Sequence, residues 1–162
     1  MTVSKGYMNL NAKKWKIELC DDKKLDNGRK LRCYRTFKEN IGLEDYVLLN
    51  IPWYKKKVLA MLRAGCLPLE VEKGRHHRPK PIPLEERVCK MCNCGSVEDE
   101  IHFLMGCNLY DDLREPLFMH FEDKDKAFSE MGLKDKFVFI MSSLFTVITV
   151  FKMYTRRLLF MI

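Results

Sequence analysis

The chain has 162 residues, of which 47% are hydrophobic and 11% aromatic. This composition can build one domain with a core, and it excludes an intrinsically disordered chain. The formal net charge of +7 is unevenly divided, because residues 1–80 carry 19 Lys and Arg against 9 Asp and Glu, whereas residues 81–162 carry 10 against 13. A basic first half favours an anionic partner, with nucleic acid as the leading candidate, although on charge alone a solubilising lysine-rich surface explains the excess slightly better.

The first residues are polar and rich in lysine, with little hydrophobic periodicity. We therefore predict a poorly ordered basic segment over residues 1–27 and a helical domain over residues 28–162. The opening lacks the apolar stretch of a secretory leader, and the seven cysteines are an odd number. Both features favour an intracellular, reducing location, the nucleus or the cytoplasm, where clustered cysteines more often bind metal than form disulfides.

An amphipathic helix is predicted over residues 29–41, where four apolar side chains recur at spacings of 3, 3 and 4. Gly42 stands where such a helix would end. The apolar face consists of Leu31, Tyr34, Phe37 and Ile41. The opposite face is basic and carries Arg29, Lys30, Arg32 and Arg35. We predict that this basic face contacts phosphates of a nucleic acid.

A short helix is predicted at residues 43–49, and a longer one follows. Asn50 is a candidate N-cap, Pro52 lies near the first turn, and Gly65 is a stop signal. The apolar contacts of this helix are predicted to come from Trp53, Val58, Leu59 and Leu62. A second set of phosphate contacts is predicted at Lys55, Lys56 and Lys57.

A cationic stretch follows at residues 73–84. Because it contains a glycine and three prolines, we predict an extended connector rather than a regular element. Arg75 and Arg78 complete the predicted nucleic-acid contacts. His76 and His77 have two interpretations: they stack on bases or bind a second metal, or, more simply, they are solvated loop histidines.

Residues 86–107 hold four of the seven cysteines and one of the four histidines. Cys89 and Cys92 form a C-x2-C pair, a spacing that lets two thiolates of a tight turn reach one ion. His102 follows after nine residues and Cys107 after four more, so a knuckle and a helix end would each supply two ligands. Thiolates and an imidazole select zinc over magnesium or calcium. We predict one structural zinc ion, because four ligands leave no open position for a substrate.

Cys94 is a fifth candidate ligand. It stands two residues after Cys92, and because adjacent C-x-C ligation is sterically tighter, we expect Cys94 to lie near the site without binding the metal. Cys20, Cys33 and Cys66 are isolated in sequence and are expected to be small buried apolar residues.

Further helices are expected in the second half. We predict a helix with an acidic start at residues 97–107, a helical stretch at 109–121 limited by Pro116, and two apolar helices at 127–141 and 143–161. Strand-rich segments and internal repeats are not evident. The predicted fold class is therefore mainly α: a small helical domain with an irregular zinc-binding knuckle. The ligands of this knuckle follow the order Cys, Cys, His, Cys, and the zinc-binding region spans residues 85–115 of the domain.

The longest uncharged run of this half covers 15 residues, 137–151, and Lys152, Arg156 and Arg157 follow it closely. A membrane-spanning helix needs about 20 apolar residues. A buried core helix or helix pair is the better interpretation, so we expect no membrane partner.

Four segments form a recognisable pattern: LRAGCLPLEVEKGR, ERVCKMC, VEDEIHFLMGC and LYDDLRE. Together, over residues 63–115, they resemble the C-terminal zinc-binding region of reverse transcriptases from non-LTR (LINE-type) retrotransposons. The similarity extends over roughly residues 28–160. It implies contact with template RNA or target DNA, and it implies zinc ligands at Cys89, Cys92, His102 and Cys107. The sequence departs from the pattern at Cys94, where no cysteine is expected.

Polymerase chemistry is not expected from this chain. A reverse transcriptase needs carboxylates on metal-bound strands, with an aromatic-x-Asp-Asp signature. In NLYDDL, Leu109 occupies the aromatic position before Asp111 and Asp112, and the context is helical. A Gly-rich phosphate loop and a nucleophile triad are also missing from the sequence. We therefore expect no enzyme and no small-molecule substrate.

Two kinds of function remain. The first is a non-catalytic, zinc-binding module that binds nucleic acid, RNA or DNA. The second is a zinc-stabilised protein–protein interaction or scaffold domain, whose partner would be the polymerase core of a parent polyprotein. A remnant of a retroelement without a selected function is a further alternative.

Overall fold

The computed structural model of the protein describes residue 14 and residues 31–38, 42–141 and 146–159. Apart from Lys14, the predicted basic segment 1–27 lies outside these residues, as do Arg29, Lys30 and Ile41. The α-helices of the described ranges are α1 (Tyr34–Phe37), α2 (Asp45–Leu48), α3 (Trp53–Arg63), α4 (Glu70–Arg75), α5 (Asp111–Lys124), α6 (Leu133–Met141) and α7 (Thr146–Leu159).

Shorter turns complete the chain. They are 3-10 turns at Leu84–Glu86, Asn108–Tyr110 and Lys126–Glu130, and a π-helical turn at His102–Gly106. The described residues contain no extended strand, and an isolated antiparallel bridge joins Val88 and Val97. The prediction of a mainly α fold is thus confirmed.

The core lies between α3 and α7, the two helices in most extensive contact. Apolar periodicity places Val58, Leu59 and Leu62 of α3 on its inner face, and all three are buried as predicted. From α7, Val150 and Met153 are also fully buried. The second predicted C-terminal helix thus forms as α7 over its described residues and supplies one wall of the core, whereas the predicted helix 127–141 is divided into the 3-10 turn Lys126–Glu130 and α6.

A second part of the core is aromatic. Phe121 of α5, Phe128 of the following 3-10 turn and Phe139 of α6 lie with ring centroids 5.5 to 5.6 Å apart. Such ring contacts stabilise the packing of short helices in addition to the stabilisation from burying apolar area. Pro116, predicted to limit the helix, instead lies inside α5, which continues to Lys124. The burial of Leu117 and Phe121 offsets the hydrogen bond that proline cannot donate.

The first predicted helix is much shorter than its periodicity suggests. Of residues 29–41, the described part is α-helical over Tyr34–Phe37. Leu31 adopts a left-handed backbone with φ 64°, and its side chain is 39% exposed. Its N–H donates to the carbonyl of Ala64 at 2.9 Å, so a tertiary contact at the end of α3 replaces the first helical turn. Cys33 is buried in this segment.

Helix α3 begins later than its capping signal predicts. Pro52 occupies the N-cap position, which has no side-chain cap, so the proposed N-cap role of Asn50 is wrong. Trp53 opens the helix but is 69% exposed and is not a core contact. The helix ends before Gly65, whose φ of +67° is left-handed, as a glycine stop signal requires.

The predicted extended connector is instead a closed loop. Its first residues belong to α4, and the N–H of Ile82 donates to the carbonyl of Gly74 at 2.9 Å. The buried Arg87 lies across Gly74 and donates to the carbonyls of Ile82 at 2.8 Å and Val71 at 3.0 Å. A Cβ at position 74 would lie 2.6 Å from the Arg87 Cγ, so glycine is required for this close approach. Arg87 thereby holds the loop beside the cysteine-rich segment.

In the described ranges, no helix is both long and apolar enough to cross a membrane.

Candidate metal centre

Four buried side chains converge at one point of the fold. They are Cys89, Cys92, His102 and Cys107, and their potential ligand atoms all lie within 4.8 Å of one another. Within the described residues, no other group of three or more Cys, His, Asp or Glu side chains is gathered in this way. The cluster could hold a metal ion.

The first two side chains lie in a small hairpin. The Cys89 N–H donates to the Ser96 carbonyl at 2.9 Å, and the Glu98 N–H donates to the Arg87 carbonyl at 2.9 Å. Between these bonds the chain reverses through Gly95, with φ +69°. The hairpin therefore turns Cys89 and Cys92 to the same side.

A backbone N–H also points at a sulfur. The Met91 N–H lies 3.4 Å from the Cys89 Sγ. Such N–H groups stabilise a thiolate, and they are a recurring feature of C-x2-C metal turns.

The other two side chains are brought together by the π-helical turn. The Cys107 N–H donates to the His102 carbonyl at 2.7 Å, five residues back instead of the four of an α-helix. This wider turn explains the H-x4-C spacing, because residues five apart then lie on one side. The Asp99 carboxylate accepts from the His102 N–H at 2.7 Å and fixes the start of the turn.

The distances agree with a four-coordinate site. The Cys89 and Cys107 sulfurs are 4.0 Å apart, and the Cys92 sulfur lies 3.3 Å from the His102 Nε2. A tetrahedron with metal–sulfur bonds of about 2.3 Å has edges of roughly 3.8 Å, and slightly shorter edges to nitrogen. Small adjustments are therefore enough for all four atoms to reach one ion.

Cys94 lies beside this cluster on its outer side. Its sulfur is 3.0 Å from the Cys92 sulfur, but the residue is exposed and does not belong to the buried group of four. The geometry therefore places Cys94 where the spacing predicts it, next to the site and apart from the four converging side chains.

Burial controls protonation in the cluster. Desolvation raises the pKa of Cys107 to about 11 and also raises the pKa of Cys89, so both thiols are neutral at pH 7 without a metal. Desolvation lowers the pKa of His102, so its imidazole is neutral and able to bind a metal at pH 7. A bound cation would displace the thiol protons.

A buried ion pair lies directly behind the cluster. The Glu98 carboxylate is 3.4 Å from the Cys89 sulfur and pairs with Arg157 of α7, and both side chains are only 1% exposed. Glu98 also accepts from the Glu70 N–H at 2.8 Å, and Arg157 donates to the Pro68 carbonyl at 3.1 Å. The pair thus joins the hairpin, the start of α4 and the C-terminal helix.

A second buried carboxylate, that of Glu100, contacts residues that precede α1. Glu100 accepts from the Nε of Arg32 at 2.9 Å, and the Cys33 thiol lies 3.4 Å from the same carboxylate. Burial raises the pKa of Glu100 even though Arg32 opposes the shift. These residues fasten the α1 segment to the base of the site.

The π-helical turn ends on a buried guanidinium. Arg114 donates to the Leu104 carbonyl at 2.9 Å and to the Cys107 carbonyl at 2.5 Å, and it pairs with Asp111 at 2.6 Å. Arg114 thereby gives the Leu104 carbonyl a partner at the end of the turn, and it adds a second bond to the Cys107 carbonyl, which also accepts from the Tyr110 N–H at 3.1 Å. It also places a positive charge beside Cys107.

Several predicted nucleic-acid contacts are already engaged within the fold. Arg32 pairs with Glu100, and Arg75 pairs with Glu72 at 2.7 Å. Arg35 lies half-buried along α1. Arg29 and Lys30 lie outside the described residues.

The lysine run at the start of α3 lies against nearby side chains and backbone. Lys55 and Lys57 lie 5.5 Å from the ring centroids of Phe151 and Trp53, and Lys56 donates to the Val47 carbonyl at 2.6 Å. In the closed loop after α4, the predicted contact Arg78 is exposed, and so are the histidines 76 and 77 and Lys80.

Sequence reasoning missed the residues that support the cluster. They are Glu98, Glu100, Arg114 and Arg157, which the sequence suggests are solvent-facing charges at helix ends. The two glutamates lie in an uninterrupted acidic run, residues 98–100, which gives no sign of burial. The arginine partners are far away in sequence, so their pairing has no local signal.

Comparison with known proteins gives no match to a protein-family model, to a curated protein or to a solved structure.

Proposed function

We propose that this protein is a non-catalytic nucleic-acid-binding module whose fold is held by one structural zinc ion, related in function to the C-terminal region of non-LTR retrotransposon reverse transcriptases that its motifs resemble. The observation that carries this proposal is the buried cluster of three cysteines and one histidine. A complete and buried ligand set favours a structural ion over a catalytic one, since a catalytic ion keeps an open position.

Zinc is the ion that the donor set fits best. Three sulfurs and one neutral imidazole are soft to borderline ligands, and tetrahedral coordination by three sulfurs and one nitrogen is typical of zinc. Zn²⁺ with three thiolates leaves one net negative charge, and Arg114, which pairs with Asp111, also donates to the Cys107 carbonyl on that side of the cluster. Arg157 in turn neutralises Glu98. Each of these guanidinium groups thus has a carboxylate partner of its own, and the donor set is what supports the assignment of zinc.

The nucleic-acid proposal draws on the exposed cations near this site. The closed loop presents Arg78 and Lys80 on the surface, and its base is held by Arg87, two residues before Cys89. A zinc-held hairpin would thus give the loop a rigid platform, and ordered cations lose less entropy on contact with phosphates. Lys57 of α3, which lies over the exposed Trp53, and Lys55, which lies over Phe151, supply further positive charge.

The absence of catalysis is proposed from the pairing of the two adjacent aspartates. Asp111 pairs with Arg114, and Asp112 pairs with Arg156 through a 2.8 Å bond. Carboxylates held by guanidinium groups are poor ligands for the magnesium ions that a polymerase needs.

Zinc stoichiometry tests the metal site. The purified protein is expected to contain one zinc ion per chain, measured by atomic emission. His102→Ala and Cys107→Ser should each lose the ion, because three remaining ligands give much weaker binding. Cys94→Ser and the distant Cys66→Ser should keep it. Full zinc content in Cys107→Ser, or its loss in Cys94→Ser, would overturn the ligand assignment.

A salt titration tests the nucleic-acid proposal. Binding to an RNA or DNA oligonucleotide should weaken steeply with salt, with a slope per phosphate neutralised of about −0.9 for duplex DNA and about −0.7 for a single strand. The double variant Arg78→Gln/Lys80→Gln should reduce the slope by roughly 1 to 2. Lys124→Gln/Lys134→Gln removes the same charge from exposed sites elsewhere and should leave the slope unchanged. Salt-independent binding, or equal effects of the two double variants, would contradict the proposal.

A second candidate function rests on a different surface. Leu43, Leu48 and Trp53 are 65%, 72% and 69% exposed within a short stretch of chain. Exposed apolar side chains in one region are typical of a protein interface, which favours a zinc-stabilised scaffold domain. Self-association in light scattering that Leu48→Ser/Trp53→Ser abolishes, together with purification free of nucleic acid, would favour this function over the first.

A further inference from the structure

We propose that Cys94 and Cys92 form a peroxide-sensitive dithiol, in which oxidation of the exposed Cys94 removes Cys92 from the metal. The inference rests on the proposed zinc site. It adds a modification site whose reactant is a small peroxide. The carrying observation is the 3.0 Å contact between an exposed sulfur outside the buried cluster and a buried sulfur inside it.

The Cys94 sulfur is accessible to a dissolved oxidant, whereas the Cys92 sulfur is buried. Residues 93–96 are all exposed at the tip of the hairpin, so a small oxidant reaches Cys94 directly. Cys92 is only 7% exposed and faces His102 at 3.3 Å. Oxidation of cysteine follows exposure, so Cys94 is attacked first and Cys92 is shielded by the protein and the ion.

The reaction proceeds in two balanced steps. The Cys94 sulfur, as it gives up its proton, attacks one oxygen of hydrogen peroxide and the O–O bond breaks; the proton passes to the leaving oxygen, so the products are a sulfenic acid on Cys94 and water. The Cys92 thiolate then attacks the Cys94 sulfur, its S–O bond breaks, and hydroxide leaves as the disulfide forms. Two sulfurs lose two electrons in total, and one peroxide is reduced to water and hydroxide.

The geometry favours this pair over the others in the cluster. A disulfide requires an S–S distance near 2.0 Å, so the two sulfurs need to approach by about 1 Å. Cys89 and Cys107 are 4.0 Å apart and are both buried. Gly95 follows the pair, and a Cβ there would meet nothing within 4 Å, so the turn has room to adjust.

Loss of Cys92 leaves the ion with Cys89, His102 and Cys107. Three ligands and an open position bind zinc much less tightly than a closed set. Oxidation therefore releases the ion and loosens the hairpin, and reduction of the disulfide restores all four ligands. The site would thus respond to peroxide by releasing its metal ion.

The experiment follows zinc release from the full-length, zinc-loaded protein in hydrogen peroxide with a chromophoric zinc chelator. Release from Cys94→Ser should be roughly tenfold slower than from the wild type, because the exposed sulfur is missing. Cys66→Ser, which lacks a partly exposed thiol away from the cluster, should release zinc at the wild-type rate. Mass spectrometry of the oxidised wild type should find a Cys92–Cys94 disulfide, and dithiothreitol should restore zinc binding.

Each alternative outcome is decisive. Equal release from Cys94→Ser and wild type, or a disulfide between other cysteines, would overturn the inference while leaving the zinc site intact. Loss of zinc from unoxidised Cys94→Ser would show that Cys94 is itself a ligand and would also overturn it. If the wild type binds no zinc, the proposed function fails instead. The dithiol is then tested on the metal-free protein in peroxide. A Cys92–Cys94 disulfide supports the dithiol, and a disulfide between other cysteines refutes it.

Discussion

Individual charged residues have an unusual position in this protein, because several are buried beside the cluster. Glu98 contacts a cysteine sulfur, a backbone N–H and the guanidinium of Arg157 at once. A buried charge that loses its partner is costly, whereas a surface ion pair contributes little. The stability of the site therefore depends on residues that do not bind the metal.

Glu98→Gln is expected to destabilise the zinc-loaded protein by about 3–5 kcal/mol, because Arg157 is left charged and buried without a counter-ion. Zinc content should persist, since glutamine removes no ligand. The measurement is urea unfolding followed by circular dichroism. Glu115→Gln alters an exposed carboxylate of α5 and should change stability by no more than about 0.5 kcal/mol. Equal stability of the two variants would argue against the importance of the buried pair.

At the residue level, the sequence is most informative where the signal is local. The spacing of Cys89, Cys92, His102 and Cys107 indicates four ligands, and the structure brings these four together. The buried pairing of Glu98 with Arg157 spans 59 residues, so no window of sequence contains it. Composition alone makes both residues look exposed, because unpaired charges are almost never buried.

At the scale of elements, the site is held by close contacts between short segments rather than by long helices. The clearest case is the end of α4, where Gly74 lets the side chain of Arg87 cross the backbone. That crossing fixes both the closed loop and the first arm of the hairpin. A glycine in a helix is normally a weak point, whereas here it is required by packing.

Gly74→Ala is therefore expected to destabilise the protein by about 1–3 kcal/mol, although alanine normally stabilises a helical position. Its Cβ would lie 2.6 Å from the Arg87 Cγ, so the guanidinium would lose its carbonyl partners. Gly42→Ala is the matched control, because no atom lies within 4 Å of a Cβ at that position. Thermal unfolding should show opposite signs for the two changes, and a stabilised Gly74→Ala would contradict the packing argument.

Elements were predicted best where hydrophobic periodicity coincides with burial, as in α3 and α7. They were predicted worst where a tertiary contact overrides local preference. Leu31 continues a helical pattern in sequence, yet its N–H bonds Ala64 and its backbone is left-handed. The π-helical turn at His102–Gly106 was likewise predicted as an ordinary helix, because its five-residue hydrogen bond leaves no mark on composition.

For the whole molecule, the cluster links distant parts of the chain. Glu100, just after the hairpin, pairs with Arg32 in the segment before α1, and Glu98 of the hairpin pairs with Arg157 of α7. Structural zinc in small fingers contributes about 10–16 kcal/mol at neutral pH. Metal loading should therefore govern the stability of the entire domain and not only of residues 85–115.

The pH dependence of stability should differ between metal-free and zinc-loaded protein. Burial raises the pKa of Cys89 and raises that of Cys107 to about 11, from an ordinary value of 9.0. Without metal, the stabilisation by these neutral thiols is fully present below pH 9.0 and is lost as the pH rises towards 11. With zinc bound, the same cysteines are already thiolates, so this alkaline loss should disappear.

Thermal unfolding from about pH 7 to about pH 11, with and without a chelator, measures this difference. Burial also raises the pKa of Cys33, but that thiol lies outside the cluster and should affect both forms alike. The contrast between the two forms therefore isolates the metal-binding cysteines. Parallel alkaline losses in the two forms would mean that zinc does not deprotonate them.

The pairing of Glu98 with Arg157 also has a consequence for synthesis on the ribosome. All four converging side chains are translated by residue 107, whereas Arg157 follows Glu98 by 59 residues. Until that arginine emerges, Glu98 can reach its final position only at the cost of an uncompensated buried charge. The nascent hairpin thus has its complete set of ligands before its counter-ion exists, so the four ligands are available for a metal before burial of Glu98 becomes favourable.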